Sequence, residues 1–434
     1  GNALRDMNEG DSSSKSQKDV AIANGVTPLV ELLKDGLANN RVEAQEYALW
    51  SLAIVSDARR GTAMVRAGII APLIRCLTSG KIGIGAQEYA AIVASCLALD
   101  KNCHDEYVAN GGVTPLVQLL ATGTVGTQRN AALSLARLAI GSIEMQTRVA
   151  SEGAIKPFTQ WLISYVGDGA LVEASLAVEA EPVERCEGTA VMLPSVPSVP
   201  STLHSDSAPR DLAEVAALAL ADLARNNEEH QTIIAHEGAI QPLIAMISDF
   251  ADAEIQNVAC SALATLAQDH HKNQIAIATL GGIAPLVNLT KSNRPRSFED
   301  ASRALSLLAA HDAYKTQLTG AGGIEPLVSL LRTDNQATQQ YSAVALEGLC
   351  FDSSENQVAL ANCKAVDPLV MMLACESGGT AESAVSLLLC LAEHPLIQKS
   401  VIKNLVDTLV DRNVSAQLKA TEALAALSSR KRKA

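Results

Sequence analysis

Apolar positions along this chain fall in short bursts with the spacing of one helix face, and the bursts themselves recur. The stretch GVTPLV stands at residues 25–30 and again at 112–117. Leu29, Leu32 and Leu33 belong to the first copy, with counterparts at Leu116, Leu119 and Leu120 and at Leu327, Leu330 and Leu331. Spacing of i, i+3, i+4 predicts an amphipathic helix. After a short polar loop a second pattern follows, a small residue and then Leu-x-x-Leu. It occurs at Ala48, Leu49, Leu52; Ala219, Leu220, Leu223; Ala262, Leu263, Leu266; Ala304, Leu305, Leu308; and Ala345, Leu346, Leu349. This predicts a second, longer helix. A short amphipathic stretch, such as residues 274–278, leads into the next copy.

The copies are periodic. The Pro of the marker stands at 28, 72, 115, 157, 242, 285, 326 and 368, a period of about 42 with one gap of 85. Gly25, Gly68, Gly112, Gly153, Gly238, Gly282 and Gly323 precede it by three or four places, and Ala365 takes that place in the eighth copy. Glycine lets a chain leave a helix through a left-handed conformation. Proline suits the first position of the next helix, where its missing N–H costs nothing. GVTPLV is therefore read as punctuation and packing: short helix, Gly turn, Pro-started helix, longer helix.

Eight copies of this unit resemble the armadillo repeat family over nearly the whole chain. The resemblance implies an all-α fold, a right-handed superhelix or α-solenoid of about eight to nine three-helix repeats, with the third helices lining a concave groove. One solenoid is expected over 1–429. Residues 1–16 read as a partial repeat, because Ala3-Leu4-Arg5-Asp6-Met7 matches the end of a third helix; the chain then reads as a fragment of a longer protein. At the other end Asn404-Leu405-Val406 replaces Pro-Leu-Val, and 396–429 is expected to act as a closing cap with a polar-facing end.

The gap of 85 is read as an insertion in the fourth repeat. Residues 164–209 lack the marker, contain PSVPSVPS, and carry seven acids against Arg185. Such a segment is expected to be extended and solvated, with one short helix near 170–180. It is a tolerated loop or a regulatory arm.

Composition narrows the function. Aromatics are only 3% against 48% apolar residues, so the core must be built of Ala, Leu, Val and Ile. The formal charge of −13 argues against nucleic acid as the main partner. Nine cysteines include no CxxC pair, which suits free thiols in a reducing compartment. No run is long enough to span a membrane. The cytoplasm is the expected location, with the nucleus a second one if the tail at 430–434, Arg430-Lys431-Arg432-Lys433 followed by Ala434, acts as a localisation signal.

Chemistry is hard to find. There is no GxSxG, HExxH or P-loop, and the glycine-rich SGKIGIG at 79–85 lacks the preceding strand and has its lysine at the wrong end for phosphate binding. His270-His271 is the one histidine cluster and has no further ligands at metal spacing. The chain is therefore read as a non-enzyme with no cofactor and no metal.

Binding is read from columns of equivalent third-helix positions. In importin-alpha-like members of the family a Trp and, four residues later, an Asn clamp a peptide. The Asn column here reads Ser51, Cys96, Arg137, Asp222, Thr265, Leu307, Gly348 and Cys390; the Trp column reads Tyr47, Ile92, Leu133, Leu218, Ser261, Arg303, Val344 and Ser386. Neither signature residue is present, and Trp50 is one place off, so this is not a typical importin-alpha groove. Eight residues before the Asn column stand Glu43, Glu88, Arg129, Glu214, Asn257, Glu299, Gln340 and Glu382. They form either an acidic ladder for a basic, extended partner or a set of acids complementing helix N-termini. Tyr47, Trp50, Tyr89 and Tyr341 are the candidate aromatic anchors.

The expected function is a non-catalytic protein-interaction scaffold or adaptor, a monomer that holds a protein or an extended, basic peptide in its groove. Two alternatives follow from the resemblance: the substrate-recruiting portion of a larger enzyme such as a ubiquitin ligase, and a nuclear transport adaptor.

Overall fold

The computed structural model describes residues 12–56, 61–79, 82–176, 208–248, 253–292, 295–375, 377–410 and 413–431. Among these residues there are helices and turns and no strand. Residues 1–11, 177–207 and 432–434 lie outside the described set, and with them most of the expected N-terminal partial repeat, most of the expected insertion and the end of the basic tail. Helical backbone continues to Leu176, interrupted at Gly167, where φ is +74°.

The described parts of Gly1–Tyr165 and Ser201–His230 pack as one compact body, and those of Val166–Pro200 and Gln231–Ala434 as a second. Within each body the chain repeats one motif. The third repeat is typical, with helices His104–Ala109, Val113–Thr122 and Val125–Ala139. In the second body Asp312–Gly320, Ile324–Leu330 and Gln336–Cys350 do the same.

From the second repeat to the eighth the joint between first and second helices is built the same way. The N–H of Gly112 donates to the carbonyl of Tyr107 at 3.0 Å, closing a six-residue turn, and that of Gly111 donates to Val108 at 2.9 Å. The same outer bond joins Ile69 to Met64, Ala154 to Val149, Ala239 to Ile234, Gly282 to Ile277, Gly323 to Leu318 and Ala365 to Leu360. It satisfies helix-end carbonyls and sets the angle of the next helix. Where two glycines adjoin, the left-handed residue is the first, Gly111 at φ +75°, and not the expected Gly112. Gly112 is needed for space instead, because a Cβ there would lie 2.2 Å from the Tyr107 ring. In the eighth repeat Lys364 takes the left-handed position at φ +58°.

Two expectations need correction. The marker proline is the third residue of its helix and not the first, as in Val113-Thr114-Pro115 and Ile324-Glu325-Pro326. The first bond of each such helix comes from the residue after Pro, for example Leu327 N–H to Gly323 O at 3.2 Å. The third N–H of a helix has no backbone partner, and a glycine cap offers no side chain to receive it, so proline loses nothing there. In the first repeat, moreover, no turn forms at Gly25. One helix, Ser12–Ala38, runs through both Gly25 and Pro28. A Cβ at Gly25 would meet nothing within 4 Å, whereas one at Gly112, Gly282 or Gly323 would meet Tyr107, Ile277 or Leu318. The last repeat is likewise two helices, Pro395–Thr408 and Val414–Lys431.

Third helices stack side by side. In the first body Val42–Val55, Ile84–Leu97, Val125–Ala139 and Ala208–Ala224 pack in succession. In the second the series is Ala253–Ala267, Pro295–Ala309, Gln336–Cys350, Gly378–Leu391 and Val414–Lys431. The small-Leu-x-x-Leu residues form the core: Ala262, Leu263, Leu266, Ala345, Leu346 and Leu349 are all fully buried. Each large aliphatic chain so buried contributes roughly 1.5–3 kcal/mol. First-helix amides clamp the far ends of the stack. Gln231 Nε2 donates to the carbonyls of Thr265 and Gln268 at 3.0 and 3.1 Å, and Asn356 Nδ2 to Leu349 at 2.7 Å. Gln146 Nε2 donates to the carbonyl of Asp222 at 2.9 Å, which joins the first helix of the fourth repeat to Ala208–Ala224. Cys76, Cys103, Cys260 and Cys350 are buried free thiols. Burial pushes Cys76 and Cys103 up to about 12, with Asp100 adding to the effect at Cys103.

Gly348 shows how close the helices stand. A Cβ on it would meet the Ala309 carbonyl oxygen at 2.6 Å. Gly348→Ala is therefore expected to destabilise the second body by about 1–3 kcal/mol, read from denaturant unfolding.

A second prediction concerns pH. His271 Nδ1 and His311 Nε2, from consecutive repeats, are 3.4 Å apart, and His311 Nε2 is also 2.5 Å from Gln274 Oε1. Burial, then His271, hold His311 below its ordinary value of 6.5, against the opposing pull of Asp312. With the folded value depressed, the stability is present above the unfolded value and is lost as pH falls through and below it. Thermal melts between about pH 7.5 and about pH 5.5 should show this acid limb, and His311→Gln should flatten it.

Candidate binding face

The Glu column turns out to have a use inside the fold. Its members lie near the starts of third helices, and Glu88, Asn257, Glu299, Gln340 and Glu382 reach the next third helix in the stack. Thr124 Oγ1, which caps Val125–Ala139 by accepting from Thr127 N–H, is 3.4 Å from Glu88 Oε2. The Glu88 carboxylate lies over Gly126, where a Cβ would be 2.2 Å from it. Asn335 caps Gln336–Cys350 by accepting from Thr338 N–H and donates its Nδ2 to Glu299 Oε2 at 3.1 Å. Ser297 Oγ donates to Asn257 Oδ1 at 2.5 Å, and the Gln340 amide lies against Gly379. Glu382 is 4.0 Å from Lys419, which also holds Glu422. These carboxylates and amides complement the N-terminal turn of the following helix more than their own. That is a third role, which a single-sequence reading of ladder or dipole does not contain.

Two arginines of the other columns are also engaged. Arg137 Nη1 donates to the Ser95 carbonyl of the preceding third helix at 2.6 Å, and burial pulls its pKa below the usual range. Arg303 Nη2 donates to Asp300 at 2.8 Å and lies 3.5 Å from Thr265 Oγ1. Burial raises the Asp300 carboxyl in spite of that partner. Arg129 is exposed and Glu214 half-buried. Neither is brought to the others of the column by a bond.

The Trp column divides by body. In the first it is apolar: Tyr47, Ile92, Leu133 and Leu218, with Tyr47 67% and Leu218 40% exposed. In the second it is Ser261, Arg303, Val344 and Ser386, where Arg303 is tied to Asp300 and Ser386 donates to Glu347. The first body thus presents an open apolar row and the second a face whose polar groups are already paired.

At the start of that row lies a cleft of 360 Å³ lined by Glu43, Glu46, Tyr47, Trp50 and Tyr89. Four of these residues share one face of Val42–Val55, at i, i+3, i+4 and i+7. Tyr89 comes from Ile84–Leu97. Glu46 Oε1 and Tyr89 Cε2 are 3.0 and 3.9 Å from the Cβ position of Gly85, so the two helices close on one spot. Glu46 takes over the stitching place here and leaves Glu43 to solvent. Glu46 is the site residue that column reasoning missed; its i, i+3 and i+4 relation to Glu43 and Trp50 was the available signal. Tyr341 does not join this group.

A larger cleft of 530 Å³, lined in part by Asp312, Lys315, Phe351 and Asn356, lies between two first helices. Its cation is already satisfied. Lys315 is 2.5 Å from Asp312 and 5.3 Å from the Phe351 ring centre. Among the described residues no group of three His, Cys, Asp or Glu could hold a metal, and no helix is long and apolar enough to cross a membrane.

The family profile described as Armadillo/beta-catenin-like repeat matches residues 227–268 and 311–351. A crystal structure of an engineered protein is similar at 24% identity, covering 92% of this chain and 98% of its own, with a TM-score of 0.62. A designed armadillo repeat protein is similar at 20% identity over 64% of this chain and 99% of its own, with a TM-score of 0.50. These likenesses bear on the fold.

The stitches and the cleft make different demands. Asn335→Ala is expected to cost about 0.5–2 kcal/mol through loss of a helix cap. Glu43→Gln should stay within about 0.5 kcal/mol of the parent. Denaturant midpoints of the two variants check both.

Proposed function

Since the chain is an armadillo-repeat protein of solenoid fold, we propose that it works as a non-catalytic protein-interaction scaffold whose partner lies on the third helices of the first body. The observation that carries this reading is the cleft of Glu43, Glu46, Tyr47, Trp50 and Tyr89, continued by the apolar row Ile92, Leu133 and Leu218. Tyr47 is exposed and Trp50 and Tyr89 half-buried, and aromatic side chains held on rigid helices in this way are enriched among the residues that dominate binding energy at interfaces. They stand beside carboxylates, which favours a partner segment that is both apolar and basic.

An importin-like groove is the less favoured reading. Two places of the Asn column serve the fold instead: Arg137 bonds the Ser95 carbonyl, and Gly348 allows close contact with Ala309. An asparagine at 348 would not fit. The Glu column as a whole is also less favoured as a ligand ladder, because Glu88 and Glu299 are used between repeats.

Affinity capture from native lysate tests the reading. The parent chain is compared with a Tyr47→Ala, Trp50→Ala double variant and with Lys403→Gln as an exposed surface control, all checked for unchanged helicity. A partner captured by the parent and the control, and reduced about tenfold or more by the double variant, is the expected result. Equal capture by all three would move the site off this face.

A further inference from the structure

We infer that the helix Val414–Lys431 in the second body pairs with the same helix of a second copy of this chain. The helix has an uncovered stacking face. Its small-Leu-x-x-Leu residues are Ala423, Leu424 and Leu427, which align it with Ala345, Leu346 and Leu349 of Gln336–Cys350. Burial agrees on the inner side. Ala416, Ala420, Ala423 and Leu427 are buried, as are Thr338, Ser342, Ala345 and Leu349. It differs on the other side. Ala343 and Cys350 are fully buried, whereas Thr421 and Ser428 in the same places are exposed. That side of Gln336–Cys350 meets the following third helix, with Gln340 against Gly379 and Ser386 donating to Glu347. Beside Val414–Lys431 no described residue takes that place.

Three observations choose the occupant. The first is the loss of the stitches. Leu418 and Ala425 stand where Gln340 and Glu347 stand, so the two places that bind a following third helix are apolar here. A further repeat of the same kind finds nothing to bond to. The second is area. A solenoid end that meets water carries a polar face. Here Val406, Leu409, Val410, Val414 and Leu418 are exposed around the turn into the helix, with Val410 at 85%, Val414 at 66% and Leu418 at 62%. On two copies these five side chains together expose roughly 1,000 Å², which is where specific interfaces begin. The third is self-complementarity. Residues 414, 418, 421, 425 and 428 share one helix face. With two such helices antiparallel and a two-fold axis at Thr421, Leu418 of one copy stands against Ala425 of the other, and Val414 against Ser428. Large meets small on both sides of the axis, as close helix packing requires. The nearby charges are already paired within one copy, because Lys419 holds both Glu382 and Glu422.

Sedimentation velocity of the full chain, from about 1 to about 300 µM, tests the inference. The expected result is a reversible monomer–dimer equilibrium with Kd of about 10–100 µM, as suits an interface at the small end of the specific range. Leu418→Glu returns a carboxylate to the column at an exposed place. It should weaken the dimer about tenfold or more while the melt stays unchanged. Val414→Ser should act in the same direction. Thr421→Cys locates the axis, because a residue on a two-fold meets its own copy. It should form an intermolecular disulfide under mild oxidation, above the background of the parent with its native thiols. Ser428→Cys lies about 10 Å further along the helix and should stay at that background. A parent that remains monomeric through about 300 µM leaves the face to another protein and overturns the inference. So does a dimer indifferent to both Leu418→Glu and Val414→Ser, or one that cross-links at 428 and not at 421.

Discussion

Third helix against third helix is the contact on which the rest of this molecule depends. The helices meet through small residues, and at Gly348 the neighbouring backbone comes so near that even a methyl group would collide with a carbonyl. Such closeness explains the composition. A core of Ala and Leu with few aromatics is what helices at this spacing can accommodate. It also explains why the outward positions of the same helices are available for other work. Their inner faces are fixed by packing, and their first turns are tied to the next helix by Glu88, Glu299 and Asn335.

The joints between first and second helices serve that stack. A six-residue backbone bond recurs in the joints on both sides of the long gap in the repeat, and it aims each second helix under its third. Because the bond is between backbone atoms, side chains at the joint can vary. Glycine holds the left-handed position at Gly111, and Lys364 holds it in the eighth repeat. The geometry persists where the letters change.

Much of this was legible in the sequence, and the reasons are specific. Eight prolines at a period of about 42 announce a repeated helix start, and Leu spacing announces the buried face. The place of proline within its helix was not legible, because the first three positions of a helix are equivalent in lacking a backbone acceptor. The missing turn at Gly25 was not legible either. The hexapeptide is the same as at 112–117, so its six letters do not by themselves decide whether a turn forms. Columns of equivalent residues found Glu43, Tyr47 and Trp50 but gave each column one meaning. Glu43 faces solvent, Glu88 lies over Gly126, and Arg137 belongs to the preceding helix. Those roles depend on which neighbour stands one repeat away, and a column read down the sequence does not contain that neighbour's shape.

The buried thiols have a consequence of their own. Cys76, Cys103, Cys260 and Cys350 lie in different repeats, and burial pushes each of them away from the thiolate that reacts. Such a sulfur is alkylated at the rate at which its own repeat breathes. These four sulfurs therefore act as internal clocks, one in each of four repeats, which time local opening where a single melting temperature averages it away.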